Sequence, residues 1–599
     1  MFNNASQWWK KKSNAFEDVF AYVRTLDTKQ SYRQADNVRN MRLYGNMSYE
    51  TTSAYNYLRS EPSSSTQNRV TLNIVQSMVD TAVAKITKNK PRPFFLTDGA
   101  DFKIRRRAEK LTKFVEGQFY ATNYYELSAQ AFLDACIMGT GALKFYIEDN
   151  EIKVERVFID EIKVDDNEAY YGSPRQMHQT KWVHKDVLKA SFPSYAKDIE
   201  FATSENSVNI NPANKNGEML LVIESWRLPS GKDKKDGRHT ITIGNADLVN
   251  ESYDKCYFPF VFFKWSQKPL GFFGQGIAEQ LTGLQLEINK LLKTIQVSMH
   301  LVSVPKILIE ASSKIVTTHL DNKIGGIIKY AGTKPEYGPL GSIPPELFSH
   351  MDRLYTRAYE IVGISQMSAQ SQKPAGLNSG KALRTHYEIE TERFSSNAKK
   401  FEQTFIEGSK ILIDLAKEIS KTTNNYSVKV PGSTFLKTIK WEDVEMDEDQ
   451  YMLQIYPTSQ LSQTPSARLQ EVQELTQAGY LSKEASMKLL DFPDLKSEYN
   501  MINAGVDDID NQIELMLDTG EYQTPEPFQN LQYGITRMQQ TYLKCRVEGA
   551  PEEIMDNLRQ WMSDAKHLLD TAQMEAQQAA QPPQAVPQAL PTSDLMPRA

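Results

Sequence analysis

Residues 274–299 read GQGIAEQLTGLQLEINKLLKTIQVSM, and the surrounding chain is organised around this stretch. Its apolar residues recur at alternating spacings of four and three, which predicts a single apolar stripe along a helix. The members of the stripe are Ile277, Leu281, Leu284, Ile288, Leu291, Ile295 and Met299. About 25 residues at 1.5 Å each predict a helix roughly 37 Å long.

The segments that follow predict a small β insert, a second helix, a polar loop and a very long third helix. Within residues 305 to about 341, strand-like runs alternate with turns that contain glycine and proline. The second helix is predicted to begin at Pro344, since proline is favoured in the first turn. Residues 365–380 are rich in Ser, Gln, Gly and Asn, whereas 381–421 contain no proline and predict an uninterrupted helix.

This order of elements resembles the portal proteins of tailed double-stranded DNA phages. The residues that carry the resemblance are Tyr257 to Val261, Pro269-Leu270-Gly271, Gly274-Gln-Gly276, the helical polar residues Glu279, Gln285, Glu287 and Asn289, and Ser379 to Ala382. The resemblance implies an α+β portal fold with an α/β wing, a two-helix stem, a small β-containing clip and a helical crown. It also implies a ring-forming structural protein rather than an enzyme.

The resemblance further implies a division of the chain. The segments are the N-terminal part of the wing (1–264), the first stem helix (265–303), the clip (304–343), the second stem helix (344–365), the tunnel loop (366–380), the long helix with wing strands (381–460), a helical crown that related portals sometimes extend as a barrel (461–580), and a disordered tail (581–599). Within the wing, two helices divided near Asn123 lead into a predicted hairpin around residues 148–150. Strands near 426–441 and 451–456 are expected to complete the sheet of the wing.

The composition excludes several classes of protein. The chain has 75 acidic and 69 basic residues, a net charge of −6, which lacks the basic excess of most nucleic-acid-binding proteins. DNA passing through a channel remains compatible with this balance, because tight phosphate binding would act as a brake. The three widely spaced cysteines fit neither a zinc ribbon nor a disulfide framework. With no run of 18 apolar residues, we expect no membrane span.

Three motifs invite an enzymatic interpretation, and each departs from its pattern. GLNSGKA at residues 376–382 is one residue short of a phosphate-binding loop, and Ala382 replaces the hydroxyl that would bind Mg²⁺. Gly274-Gln-Gly276 lacks the third glycine of a dinucleotide fingerprint, because Glu279 stands there. The acidic residues between Asp160 and Asp166 lie in a turn-rich β segment. We therefore expect no catalytic residue, no metal site and no cofactor.

Two further patterns leave alternatives open. The basic run at 105–107, with nearby lysines, contacts phosphate, forms a solvated helix face, or forms a salt bridge to a neighbouring subunit. The pair Trp8-Trp9 beside three lysines either anchors packing in an oligomer or touches a membrane interface.

The resemblance assigns candidate site residues in three groups. The DNA-facing tunnel loop would present Lys373, Asn378, Ser379 and Lys381. Lys373 either makes weak, reversible phosphate contacts or is simply solvated. The polar face of the first stem helix, with Glu279, Lys290 and Lys293, would line the channel or bridge protomers. In the clip, Lys306, Lys314, Lys323 and Lys329 are candidates for docking partner proteins.

The implied function is a portal at one capsid vertex, a channel for packaging and ejecting double-stranded DNA. The implied partners are further copies of the chain in a ring, expected to number twelve, together with the large terminase, the head-to-tail adaptor, and the major capsid and scaffolding proteins. The protein would be made in the host cytoplasm and reside in the virion, with no membrane partner expected. The alternatives are another virion structural protein, such as an adaptor or internal protein, or a DNA-processing enzyme.

Overall fold

The structure is a computed structural model. It describes residues 7–47, 71–97, 102–202, 218–303, 307–314, 331–337, 343–364, 380–457, 465–480, 486 and 504–579, apart from short gaps at 12, 89, 232–233, 313, 334–335, 424–425, 432–435 and 447–450. The helices of this part of the chain are α1 (Phe16–Lys29), α2 (Ser31–Tyr44), α3 (Ile74–Thr87), α4 (Phe102–Ala121), α5 (Tyr124–Met138), α6 (Lys185–Ser191), α7 (Ala196–Phe201), α8 (Ile277–Ser303), α9 (Pro345–Val362), α10 (Gly380–Thr422), α11 (Pro465–Gln477), α12 (Ala504–Thr519), α13 (Leu531–Val547) and α14 (Glu552–Ala579).

The strands are shorter and belong to six sheets among the described residues. They are β1 (Pro91–Leu96), β2 (Thr140–Glu148), β3 (Glu151–Val157), β4 (Ile162–Lys163), β5 (Gln176–His184), β6 (Met219–Arg227), β7 (Arg238–Ile243), β8 (Ala246–Ser252), β9 (Phe260–Lys264), β10 (Ser266–Gln267), β11 (Gly274–Gln275), β12 (Ile307–Leu308), β13 (Glu336–Tyr337), β14 (Ser427–Pro431), β15 (Leu436–Lys440) and β16 (Met452–Pro457). The mixture of helix and sheet agrees with the predicted α+β class.

The chain divides into two compact units. The first consists of Met1–Arg92 and Val115–Tyr426, and the second of Pro93–Phe114 and Ser427–Ala599. The division falls within β1 and within α4.

The first unit contains a three-stranded antiparallel sheet in the order β3-β2-β9, against which α5 and α10 pack. The predicted break between two helices is confirmed, since Asn123 takes the left-handed φ of 53° between α4 and α5. The predicted hairpin is also confirmed, with Asp149 and Asn150 at φ 52° and 60° in its turn. Left-handed backbone at two central residues is the conformation that a tight hairpin requires and that Asn and Asp tolerate.

Aromatic side chains fill the space between this sheet and its helices. Tyr124 stacks on Phe119 with ring centroids 4.6 Å apart and meets Phe405 of α10 edge-on at 5.0 Å. Phe132 of α5 and Phe401 of α10 meet at 5.2 Å. All five side chains are buried, so aromatic side chains on one face of α10 attach this long helix to the neighbouring helices.

The first unit also contains a five-stranded antiparallel sheet in the order β4-β5-β6-β7-β8. The packing partners of this sheet include α6 and α7, which contribute Leu188 and Ile199 to a core with Leu220. Another cluster joins Ile223 of β6 to Val19 of α1 and to Trp8, whose Nε1 donates to Oε1 of Gln176 at 3.1 Å. Trp8 is thus buried within its own chain, so its burial requires neither a neighbouring subunit nor a membrane.

The second unit has a helical core made by α12, α13 and α14 around Trp561. Here β14 pairs with β15, and β16 pairs with β1. The strands predicted near 426–441 and 451–456 are present, but among the described residues they join neither the three-stranded nor the five-stranded sheet. The reason is local: β14 and β15 are separated by four residues and satisfy each other's backbone groups as a hairpin.

None of the helices in the described ranges combines the length and hydrophobicity needed to cross a bilayer.

Candidate functional site

The helix predicted from residues 274–299 is confirmed as α8, and glycines determine how it joins the rest of the first unit. A Cβ on Gly276 would lie 2.6 Å from the carbonyl oxygen of Ile137, at the end of α5. A Cβ on Gly274 would clash with the carbonyl oxygen of Gly139, which itself has a left-handed φ of 89°. The Gly-x-Gly motif thus lets two backbones approach closely at the start of a helix.

A buried glutamine connects α8 to α3. Oε1 of Gln285 accepts hydrogen bonds from the backbone N–H groups of Ile74 at 2.9 Å and Val75 at 3.4 Å. Its Nε2 donates to the carbonyl oxygen of Leu72 at 2.6 Å and to Oδ1 of Asn289 at 3.0 Å. The first N–H groups of a helix have no partner inside it, so Gln285 supplies part of the N-terminal cap of α3.

Burial along α8 changes from its beginning to its end. Of the predicted stripe, Ile277, Leu281, Ile288 and Ile295 are buried. Met299 is instead 54% exposed, and its neighbour Val297 is 49% exposed. The apolar stripe therefore continues beyond the part of the helix that the first unit covers.

The predicted second helix is confirmed as α9, which packs on α8. Its residues Leu354, Ala358 and Val362 are buried, whereas Phe348 in the second turn is 40% exposed. The end of α8 and the beginning of α9 adjoin the antiparallel pair β12–β13, in which Ile307 lies opposite Tyr337. Two helices therefore bracket a small β pair, as the sequence predicts.

The predicted polar residues of α8 lie at or near its surface. Nζ of Lys268 lies 3.3 Å from Oε1 of Glu279, and both side chains are partly exposed. Lys290 is 76% exposed, with its Nζ 3.8 Å from Oε2 of Glu287, and Lys293 is also exposed. These positions leave all three predicted residues accessible to solvent.

The other predicted site residues are only partly within the described chain. Lys373, Asn378 and Ser379 of the tunnel loop, and Lys306, Lys323 and Lys329 of the clip, lie outside the described residues. The backbone of Lys381 lies in the first turn of α10. The Lys314 side chain is exposed, and its backbone N–H donates to the carbonyl oxygen of Ala331 at 3.2 Å.

The acidic run at 160–166 has partners within the first unit. Oδ1 of Asp160 accepts from Nδ2 of Asn37 at 2.6 Å and lies 3.3 Å from Nη1 of Arg33. The Tyr22 hydroxyl donates to Asp165 at 3.0 Å. These carboxylates attach the loop to α1 and α2, and the described residues contain no group of three or more potential metal ligands.

Lys163, inside the same run, forms a buried ion pair. Its Nζ lies 2.6 Å from Oδ1 of Asp27, which also accepts from Nε2 of Gln34 at 2.6 Å. Burial lowers the pKa of Lys163, and the nearby Asp27 carboxylate offsets part of that shift. Its backbone also belongs to the five-stranded sheet, since β4 pairs with β5.

The basic run at 105–107 contributes to ion pairs of the second unit. Nε of Arg106 lies 3.1 Å from Oδ1 of Asp518 on α12, and Lys113 lies 3.6 Å from Glu514. Lys110 lies 3.5 Å from the same Asp518. Arg106, Lys110 and Lys113 therefore have acidic partners within their own chain.

Sequence reasoning named Gln285 but missed its hydrogen bonds to the backbone at the start of α3. Gln285 and Ile74 are 211 residues apart, and nothing in the local pattern at either position indicates the pairing. The one available signal of a buried polar contact was a polar residue placed beside a predicted apolar stripe.

Comparison with known proteins gives one family match. Residues 29–255 match the family described as Phage P22-like portal protein. No curated protein matches the chain. The matched segment ends before Tyr257, so it is independent of the residues between 257 and 382 on which the resemblance was recognised. The match confirms the recognition drawn from the sequence: over residues 29–255, this chain is similar to phage portal proteins.

Proposed function

We propose that this chain assembles into a closed ring at one capsid vertex, with twelve subunits as the expected number. The ring forms the channel through which double-stranded DNA is packaged and ejected. Its clip provides a docking platform, first for the large terminase and then for the head-to-tail adaptor. The portal family match supports the general assignment.

The single observation that carries the ring is the uncovered end of the α8–α9 pair. At these ends of the two helices, Val297, Met299 and Phe348 are 49%, 54% and 40% exposed. Full burial of such a side chain contributes about 1.5–3 kcal/mol, so each would gain on the order of 1 kcal/mol from a neighbour. In a closed ring, every copy covers this surface on the next copy.

The polar candidates take the remaining surfaces in this proposal. Glu279, Lys290 and Lys293 line the channel or form ion pairs between protomers. Residues 366–380 form the tunnel loop, in which Lys373 makes phosphate contacts that are weak enough to break as DNA moves. The net charge of −6 suits a conduit that must not retain its cargo.

The ring is tested by comparing the wild type with a double variant, V297D/M299D. Negative-stain electron microscopy and mass photometry should give rings with a central hole for the wild type and small species for the double variant. Circular dichroism should be the same for both. The matched control is Thr294→Asp, which adds a charge at an exposed polar position of the same helix and should leave rings intact.

Two results would overturn this proposal. A wild-type chain that stays monomeric at all concentrations, even when it is co-expressed with its scaffolding protein, would exclude the ring. Rings of unchanged size and yield from the double variant would exclude the α8–α9 surface as the interface.

The tunnel loop is tested separately by deleting residues 370–378. The deletion should leave ring assembly unchanged and reduce the amount of DNA packaged or retained in heads. Normal packaging and retention would remove these residues from the DNA path, and loss of the ring would show that the loop serves assembly instead.

A further inference from the structure

The two large sheets of the first unit face each other across a cleft of about 220 Å³, which is lined by charged side chains and by apolar ones such as Val183 and Val222. Two ion pairs cross it. Lys144 on β2 donates to Oε2 of Glu224 on β6. In the opposite sense, Nζ of Lys181 on β5 donates to Oε2 of Glu155 on β3 at 2.9 Å. The hairpin β2–β3 is thus joined to the five-stranded sheet by charges along this cleft.

The first of these ion pairs extends into a chain of charges. Nε2 of His239 lies 3.0 Å from Oε1 of Glu224, and its Nδ1 lies 2.8 Å from Oε1 of Glu251. A neutral imidazole carries one N–H and can therefore donate to only one of the two carboxylates. Only the imidazolium can donate to both, so the geometry fits the protonated ring. That ring also stacks on Trp226, with centroids 5.5 Å apart.

The charged groups around His239 include both signs. Arg238, on the same strand, donates to Oδ1 of Asn250 at 2.6 Å and interacts electrostatically with Glu251. The Tyr253 ring lies 6.3 Å from the imidazole, and Asp414 and Glu418 of α10 interact electrostatically with this tyrosine. Lys144, Glu224, protonated His239 and Glu251 together carry no net charge, so loss of the His239 proton leaves one excess negative charge. Lys144, Glu224 and His239 are mostly shielded from solvent, whereas Glu251 is 61% exposed.

The electrostatics agree with this geometry. Burial disfavours the imidazolium, but hydrogen bonds to Glu224 and Glu251 outweigh burial and raise the pKa of His239 to about 8. Burial likewise disfavours the Glu224 carboxylate, but Lys144 and His239 lower its pKa to about 2.

We infer that His239 is a proton-dependent latch between the two sheets: when it is protonated it holds Glu224 toward Lys144 and closes the cleft, and when it is neutral it releases the five-stranded sheet from the hairpin. Because the pKa of His239 is higher in the folded chain than its ordinary value of 6.5, the stabilisation is complete below pH 6.5. It is lost as the pH rises through about 8. The Lys181–Glu155 pair remains, so the expected change is a local opening of the junction and not unfolding. The inference does not depend on the proposed ring.

Hydrogen exchange of the full-length protein, read by mass spectrometry at pH 6.5, 8 and 9.5, measures the latch. Protection factors remove the intrinsic pH dependence of amide exchange. Protection of residues 219–243 should fall about tenfold between pH 6.5 and 9.5. A pKa that is about one unit higher in the closed state than in the open state changes the opening equilibrium tenfold. Protection of α5 should not change by as much. The variant His239→Gln should already show the lower protection at pH 6.5, with little further loss.

The matched control is His184→Gln. His184 also faces two carboxylates, Asp186 at 3.5 Å and Glu218 at 3.7 Å, but it is 42% exposed and lies outside the cleft. This variant should behave as the wild type does. The partner variant Glu251→Gln removes only the outer carboxylate, which should move the loss of protection to lower pH even if His239→Gln fails to fold.

The inference is overturned if the wild type keeps its protection of 219–243 from pH 6.5 to 9.5. It is equally overturned if His239→Gln retains the full pH dependence, or if Glu251→Gln leaves the midpoint where it was.

Discussion

Replacing Gln285 by leucine tests how α3 is fixed to α8. Leucine has nearly the size of glutamine, but it can neither accept from the Ile74 and Val75 amides nor donate to the Leu72 carbonyl. Gln285, Ile74 and Val75 are all buried, so water cannot easily take over these contacts. The perturbation therefore removes hydrogen bonds while leaving the volume of the contact almost unchanged.

The expected cost follows from the individual contacts. A buried N–H that loses its acceptor costs about 1–3 kcal/mol. The Ile74 amide, with a bond of 2.9 Å, should lie within that range, whereas the Val75 amide at 3.4 Å contributes less. The unpaired Leu72 carbonyl adds to the cost, and the apolar leucine recovers part of it. We expect a net loss of about 3 kcal/mol, which is roughly a hundredfold increase in the opening of α3.

Hydrogen exchange of residues 74–87 measures this opening directly, and the control is Gln280→Leu on the same helix. The control should leave the exchange of α3 within about 0.5 kcal/mol of the wild type, as expected for a site away from special contacts. If Gln285→Leu changes the opening free energy of α3 by no more than the control does, the cap assignment is refuted.

Further predictions concern close packing and acid. Gly276→Ala should destabilise the first unit by about 1–3 kcal/mol, because the new methyl group meets the Ile137 carbonyl and forces a backbone shift; thermal unfolding of this variant beside Gly283→Ala, where the added Cβ meets no atom within 4 Å, checks it. Trp561→Ala should cost about 3–5 kcal/mol and increase proteolysis in the second unit first, whereas Trp561→Phe should cost less. Glu224 should contribute stability above pH 4.5 that is lost as the pH falls toward about 2, and unfolding of Glu224→Gln against pH should lack that acid-side loss.

Each of these expectations has a contrary outcome. Equal stability of Gly276→Ala and Gly283→Ala would mean that the glycine contact is not tight. Equal proteolysis of both units in Trp561→Ala would contradict their separate cores. An unchanged acid-side slope in Glu224→Gln would assign the acid sensitivity to other carboxylates.

Local signals in the sequence predicted the elements of the fold well. The stripe in 274–299, the break at Asn123 and the turn at Asp149-Asn150 all depend on residues close together in the chain, and all three are confirmed. Periodicity, left-handed tolerance and turn chemistry act over a few residues, so a single sequence contains the information needed to predict them.

Pairings between distant segments were not predictable in the same way. The partner of β16 is β1, more than 350 residues earlier, and Ile162–Lys163 joins the five-stranded sheet rather than the hairpin that precedes it. Strands of similar composition offer equivalent backbone groups, so the choice of partner depends on the packing of whole elements. For the same reason, the contacts of the acidic run with α1 and α2 could not be predicted from the sequence.

For the candidate site, the sequence identified polar positions but not their surroundings. It placed Glu279, Lys290 and Lys293 together on one face, and the structure shows Glu279 near Lys268 while Lys290 extends into solvent. Whether such a residue lines a channel depends on neighbouring copies, which the pattern of one chain does not encode.

The ion pairs across the cleft also select one orientation of the hairpin on the five-stranded sheet. Lys144 and Glu155 are cross-strand partners on the hairpin, and they face Glu224 and Lys181. A hairpin docked with its two strands exchanged would bring Lys144 to Lys181 and Glu155 to Glu224, replacing two attractions by two repulsions. Apolar contacts alone would discriminate weakly between these two arrangements, so the four charges favour the observed orientation by penalising the alternative.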